Sequence, residues 1–181
     1  MTWNNFRKSI EYGGIQYGTK ELEFGKVENL PNRLHQNHFE LAVGGADAPT
    51  GRWQTLGWNV VDSHSVSTTL DDYREYIQRS RGEFSVAKNV YVATRSGWFS
   101  CRSACYLAAG RPVVVQDTGF SDIIPTGCGL FAFSNLEEAE RGIETVEQDY
   151  IRHQKGAMDV AREYFGSDQV LGKMLEEIGL K

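Results

Sequence analysis

Apolar and polar positions along this chain change period several times, and each change marks an element. Val113-Val114-Val115 is apolar at every position, the pattern of a strand covered on both faces. The Ala-rich segment before it, Cys101 to Ala109, holds no Gly or Pro and predicts a helix, stopped by Gly110 and kept from resuming by Pro112. Upstream, Leu22, Phe24, Val27 and Leu30 predict a helix over Lys20 to Leu30 that Pro31 terminates. Tyr73, Tyr76 and Ile77 mark one face of a helix over Asp71 to Ser80. Short apolar segments predict strands at Ser9 to Tyr12, Phe39 to Val43, Trp58 to Asp62, Glu83 to Ala87 (resumed at Val90 to Ala93) and Gly129 to Phe133. Three polar amphipathic helices close the chain, from Leu136 to Arg152, His153 to Phe165 and Ser167 to Ile178.

This alternation of strand and helix predicts an α/β fold: a Rossmann-like parallel sheet with helices on both faces, joined by right-handed crossovers. No repeat, low-complexity tract or linker divides the chain, so residues 1–181 read as a single domain. Ligands in such folds bind at the carboxyl ends of the strands. The loops after Tyr12, Val43, Asp62, Ala93, Gln116 and Phe133 are therefore expected along one edge, bringing Gly13, Gly14, Gly44, Gly45, Gly97 and Gly119 together.

Composition narrows the function. The formal net charge of −5 argues against a general nucleic-acid binder, which needs clustered Lys and Arg, but leaves room for a small anion held by backbone and a few cations. No apolar stretch reaches the roughly 20 residues that span a bilayer. The polar segment Met1 to Ile10 lacks a signal-peptide core, so a cytoplasmic location is expected. Cys101, Cys105 and Cys128 have no framework spacing, which suits a reducing compartment; Cys101 and Cys105 lack nearby metal-ligand partners and read as packing thiols.

The candidate chemistry lies in Ser96 to Gly119. Gly97 permits close approach of backbone to a ligand, Ser100 and Ser103 suit the cap and first turn of the following helix, and the free N–H groups there attract phosphate. Lys20, Lys88 and Arg95 flank the same predicted edge and suit a diphosphate. Gly13 to Lys20 approaches a phosphate-cradling P-loop, but Thr19 precedes Lys20 where the order should be reversed, and no Gly-x-Gly-x-x-Gly follows the first strand. No cofactor or metal is expected. His35 and His38 read as surface residues, His64 as a weak candidate base, and the glutamates after Leu136 as a solvated face. A serine-hydrolase elbow is missing.

With these residues in view, the chain resembles the donor-binding C-terminal domain of GT-B glycosyltransferases, of the retaining family 4 type. Ser9 to Gly45 looks like that domain's opening, and Ala108-Ala109-Gly110-Arg111-Pro112-Val113-Val114 is close to its Ala-Ala-Gly-x-Pro-Val-Val signature. Gly127-Cys128-Gly129-Leu130 with Glu137-Glu138-Ala139 is similar to the next segment. The resemblance implies that Lys20 meets the diphosphate and that backbone at Trp98, Phe99 and Ser100 holds phosphate. Two glutamates eight positions apart that contact donor sugar and ribose in the family fall here on Gly97 and Cys105.

A whole GT-B enzyme has two α/β domains closing on the donor, and this chain corresponds to one. The resemblance thus implies a domain that binds a nucleotide-sugar or nucleoside diphosphate and transfers sugar only beside an N-terminal domain or partner chain. The alternative is a non-catalytic interaction or regulatory module of the same fold. Under the first reading, Val170, Leu171, Met174 and Ile178 on the last helix should form an exposed apolar stripe.

Overall fold

The computed structural model describes residues 1–3 and 9–180. Its organising strand is β6 (Val113–Gln116), buried at every position. This strand pairs in parallel with β5 (Glu83–Ser85) on one edge and β7 (Leu130–Phe133) on the other. With both edges hydrogen-bonded and both faces covered, no side of the strand meets water, so its pattern is continuous and not alternating. The pleat still shows in what each valine touches: Val114 joins a cluster with Phe24, Trp58 and Phe133, whereas Val113 and Val115 join another with Leu107, Leu130 and Ala157.

Helices build those two faces. On the first, α7 (Leu136–Gln148) buries Ala139, Gly142 and Val146; on the second, α6 (Cys101–Ala108) and α8 (Tyr150–Phe165) meet through Tyr106, Leu107, Ala157, Val160 and Ala161. As predicted, α6 ends at Gly110, whose φ of +66° only glycine adopts readily. The helix α4 (Leu70–Arg79) joins the second face through Ile77 and starts with a capping box between Thr69 and Asp72. Thr69→Ala should lower stability by about 1 kcal/mol in urea unfolding, because one first-turn N–H loses its acceptor.

The N-terminal half departs from prediction. Ser9 to Thr19 forms an antiparallel hairpin, β1 (Ile10–Tyr12) and β2 (Ile15–Tyr17), turned by Gly13 and Gly14, both with left-handed φ. This hairpin, not a strand of the parallel sheet, is where the first Gly loop lies. Pro31 begins a helix and does not end one: α1 (Glu21–Phe24) stops near Gly25, and α2 (Leu30–Arg33) holds Pro31 in its first turn, where no N–H is missed. The segment Val90 to Ala93 belongs to helix α5 (Asn89–Ala93), not to a resumed strand. Its first amides bond the carbonyls of Thr19 and Gly18 at 3.3 and 3.2 Å, which ties it to the hairpin and not to a sheet.

Farther on, β3 (Glu40–Val43) and β4 (Asn59–Asp62) form a parallel pair connected through α3 (Thr50–Thr55). The architecture is therefore α/β, with parallel sheets flanked by helices, and is compatible with a Rossmann-like fold. The single continuous sheet expected from sequence is not formed: β3–β4 and β5–β6–β7 are separate ladders, with no hydrogen bonding between β3 and β5. The last helix, α9 (Ser167–Glu177), buries none of its residues and leaves Val170, Leu171, Met174 and Ile178 exposed, as the sequence reading expects. Among the described residues no helix is long and apolar enough to cross a membrane.

Candidate functional site

The carboxyl ends of β5 and β6 carry most of the predicted site. Here the loop before α6 is sewn to the loop after β6: Gly97 N–H donates to the Thr118 carbonyl at 2.8 Å, and Thr118 Oγ1 donates to the Trp98 carbonyl at 2.6 Å. Gly119, with φ +92°, passes so close to Arg95 that a Cβ would sit 3.1 Å from its carbonyl oxygen. Gly97, at φ +71°, faces open space, so its requirement is conformational and not steric.

Ser100 occupies the N-cap of α6 with extended backbone, yet its side chain makes no capping bond, contrary to the role its hydroxyl suggests. Beside it lies a cavity of only about 10 Å³, lined by Val86, Trp98, Ser100 and Gln116 among others, so a ligand larger than water would rest on the open edge. Trp98 lies flat on Tyr91 with ring centroids 5.0 Å apart, and the Lys88 ammonium is 6.0 Å from the Tyr91 ring. The Phe99 side chain turns inward, stacked on Phe165 and edge-on to Phe120, so it anchors the loop within the core.

Lys20 reaches this edge from below. Its Nζ donates to the Val86 carbonyl at 2.7 Å, and the residue is buried. Burial, followed by the nearby charge of Arg102, lowers its pKa to about 8. Among the described residues no carboxylate lies within ion-pair distance of Lys20. Glu23, three residues on, is fully buried but committed elsewhere: it accepts from Lys26 at 2.8 Å, from Asn89 at 2.8 Å and from Gln116. Burial raises the Glu23 pKa, and the hydrogen bonds from Asn89, Lys26 and Gln116 more than reverse that, holding the carboxylate below its ordinary range.

Gln116 links this network to the sheet, since its Oε1 accepts from Ala87 N–H at 3.2 Å. Arg102, in the first turn of α6, is bound to Glu83 at 2.6 Å. Sequence reading overlooked Glu23, Asn89, Arg102 and Gln116. A signal was present: Lys20, Glu23, Phe24 and Val27 follow helical spacing and all are buried, so the covered stripe runs through two charged residues.

The structure thus brings Lys88, Arg95, Gly97, Trp98, Phe99, Ser100 and Gly119 into one neighbourhood, with Lys20 behind Val86. Arg95 is exposed and already paired, with Asp122 at 2.8 Å and Asp117 at 3.8 Å. Gly13 and Gly14 are not part of this neighbourhood; they form the exposed turn of the β1–β2 hairpin. Cys105 lies one turn farther along α6 and is exposed, as is Cys101, so neither is a core thiol. His35, His38 and His64 are exposed, while His153 is buried and accepts from Gly129 N–H at 3.3 Å. No group of described residues has the make-up of a metal site.

Comparison with protein-family models matches no family, and comparison with curated proteins returns no relative.

Proposed function

We propose that this chain is a donor-binding domain for a nucleoside diphosphate or nucleotide-sugar, resembling the C-terminal half of GT-B glycosyltransferases. The observation that carries the reading is Lys20: a buried ammonium with one carbonyl acceptor and no ion-pair partner among the described residues, at the carboxyl end of β5. A cation held out of water needs a counter-charge, and an anion entering beside Val86 would supply it. The first-turn N–H groups of α6, which has eight residues, lie at the same edge and favour phosphate oxygens.

The two positions where the resemblance places donor-contacting carboxylates hold Gly97 and Cys105, so neither supplies an acid or base for sugar transfer. Its part is to hold the diphosphate and stabilise the charge that develops on departure, with acceptor and remaining machinery supplied by a second domain or chain. The exposed stripe of α9 suits such a partner.

Calorimetric titration with uridine, guanosine and adenosine diphosphates and their sugars tests this reading. Binding is expected at millimolar ligand or below, with quenching of Trp98, which is 37% exposed at the edge while Trp53 and Trp58 are buried. Trp98→Phe should remove most of that quench. Absence of heat and of quenching with every nucleotide at millimolar concentration would leave the non-catalytic module as the better reading, which the small cavity at α6 favours.

A further inference from the structure

The separation of β3 from β5 has a definite shape. Between them lies a slot of about 530 Å³, with the unpaired edge of β3 on one side and that of β5 on the other. Its two faces are already roofed: Phe24, Trp58 and Val146 line one, and Tyr76 and Tyr106 line the other. Helices therefore cover both sides of a place in the parallel array where no strand runs.

One end of that place is occupied. Met1 to Trp3 runs parallel to β3, with Thr2 bridged to Gly44, Gly44 N–H donating to the Met1 carbonyl and Trp3 N–H to the Gly44 carbonyl, both at 2.9 Å. The Met1 amino group donates to the Ala42 carbonyl, continuing the same ladder toward the slot. Extending the register from Thr2 and Gly44 puts the residue joined to the Met1 nitrogen opposite Ala42, and the three before it opposite Leu41, Glu40 and Phe39. A buried atom in the lining also lacks a partner: Glu83 Oε2, in a residue 6% exposed whose other oxygen binds Arg102.

We infer that this slot is the seat of a further parallel β-strand, an apolar segment of polypeptide joined to the nitrogen of Met1 and running between β3 and β5. Such a strand completes one sheet from β4 through β3 to β5, β6 and β7. Its ladder bonds satisfy the free backbone groups of Glu40, Ala42 and Phe84, and its side chains are apolar on both faces because both are roofed. Joining also replaces a half-buried terminal amino group by a peptide N–H with the same acceptor. Burial is what lowers that amino group to about 5, so a neutral donor suits the position better. The inference stands apart from the nucleotide reading, since its test uses no nucleotide.

The test compares three proteins: the 181-residue chain, the chain with Lys-Val-Ile-Val-Val added before Met1 behind a new initiator, and the chain with Lys-Ser-Asn-Asp-Ser added in the same way. The apolar extension is expected to raise Tm by about 5 °C or more over both others. It should also slow hydrogen exchange at the Ala42 and Phe84 amides at least about 100-fold. If the apolar extension precipitates, Lys-Thr-Val-Thr-Val is read in its place. Equal Tm and equal exchange in all three proteins would overturn the inference. So would protection produced only by the free apolar peptide added to the 181-residue chain, which would make the occupant a partner's strand.

Discussion

Lys20→Met is expected to stabilise the ligand-free protein by about 1–2 kcal/mol at pH 7 and to abolish diphosphate binding. The Lys20 pKa falls from 10.5 to about 8 because burial disfavours the charged form and Arg102 adds repulsion. A lysine with a lowered folded-state pKa binds its proton more weakly in the native than in the unfolded chain. Its contribution to stability therefore rises with pH between about 8 and 10.5, and at pH 7 the full cost of the buried charge is in force. That cost is about 3 kcal/mol, against about 1 kcal/mol for the hydrogen bond to Val86 that methionine cannot make.

Urea unfolding of both proteins at pH 7 and pH 10 separates these contributions. The advantage of the variant should shrink toward zero by pH 10, as the native wild-type lysine sheds its proton. An advantage independent of pH would refute the buried charge as its cause. A variant that binds nucleoside diphosphates as well as the parent does would remove Lys20 from the proposed site.

Gly129→Ala is expected to cost at least about 4 kcal/mol, enough to leave the chain largely unfolded. Gly129 sits just before β7 at φ +75°, where α8 presses on it: a Cβ would come within 2.6 Å of Ala157 Cα and overlap the Gly156 and Ala157 backbone. Two rigid elements must part to admit one methyl group, at a contact that also holds His153 against the Gly129 N–H. Gly127 is the built-in control, being in the same turn with φ +100° but with nothing near its missing Cβ. Gly127→Ala should cost only about 1–2 kcal/mol, the strain of a left-handed residue. Circular dichroism melts of the two variants decide the matter. Similar losses in both would mean that α8 yields easily, contrary to the close packing described.

The same contrast between local conformation and tertiary contact governs what could be read from the chain. The run Val113 to Val115 and the helix ending at Gly110 were legible because burial on both faces and a glycine stop leave direct marks on residue type. The Gly13-Gly14 turn differs from the expected loop at the end of a parallel strand, although a two-residue Gly-Gly turn between Ile10–Tyr12 and Ile15–Tyr17 is a hairpin signal. Val90 to Ala93 carries β-branched residues but is helical; the first amides of its helix, those of Asn89 and Val90, are held by Thr19 and Gly18, about 70 positions away in sequence, which no local pattern reveals. Glu23 has no mark in the local sequence, since its partners Asn89 and Gln116 are equally remote. Of the candidate site, the loop from Gly97 to Ser100 was legible, whereas Gly13, Gly14 and the inward turn of Phe99 were not.

The terminal helix α9 has a consequence for how freely the chain can vary. None of its residues is buried, and it leans on α8 without entering either cluster. Substitutions along Val170, Leu171, Met174 and Ile178 therefore move solubility far more than folding stability. The sequence of this helix is therefore open to change without redesigning the fold.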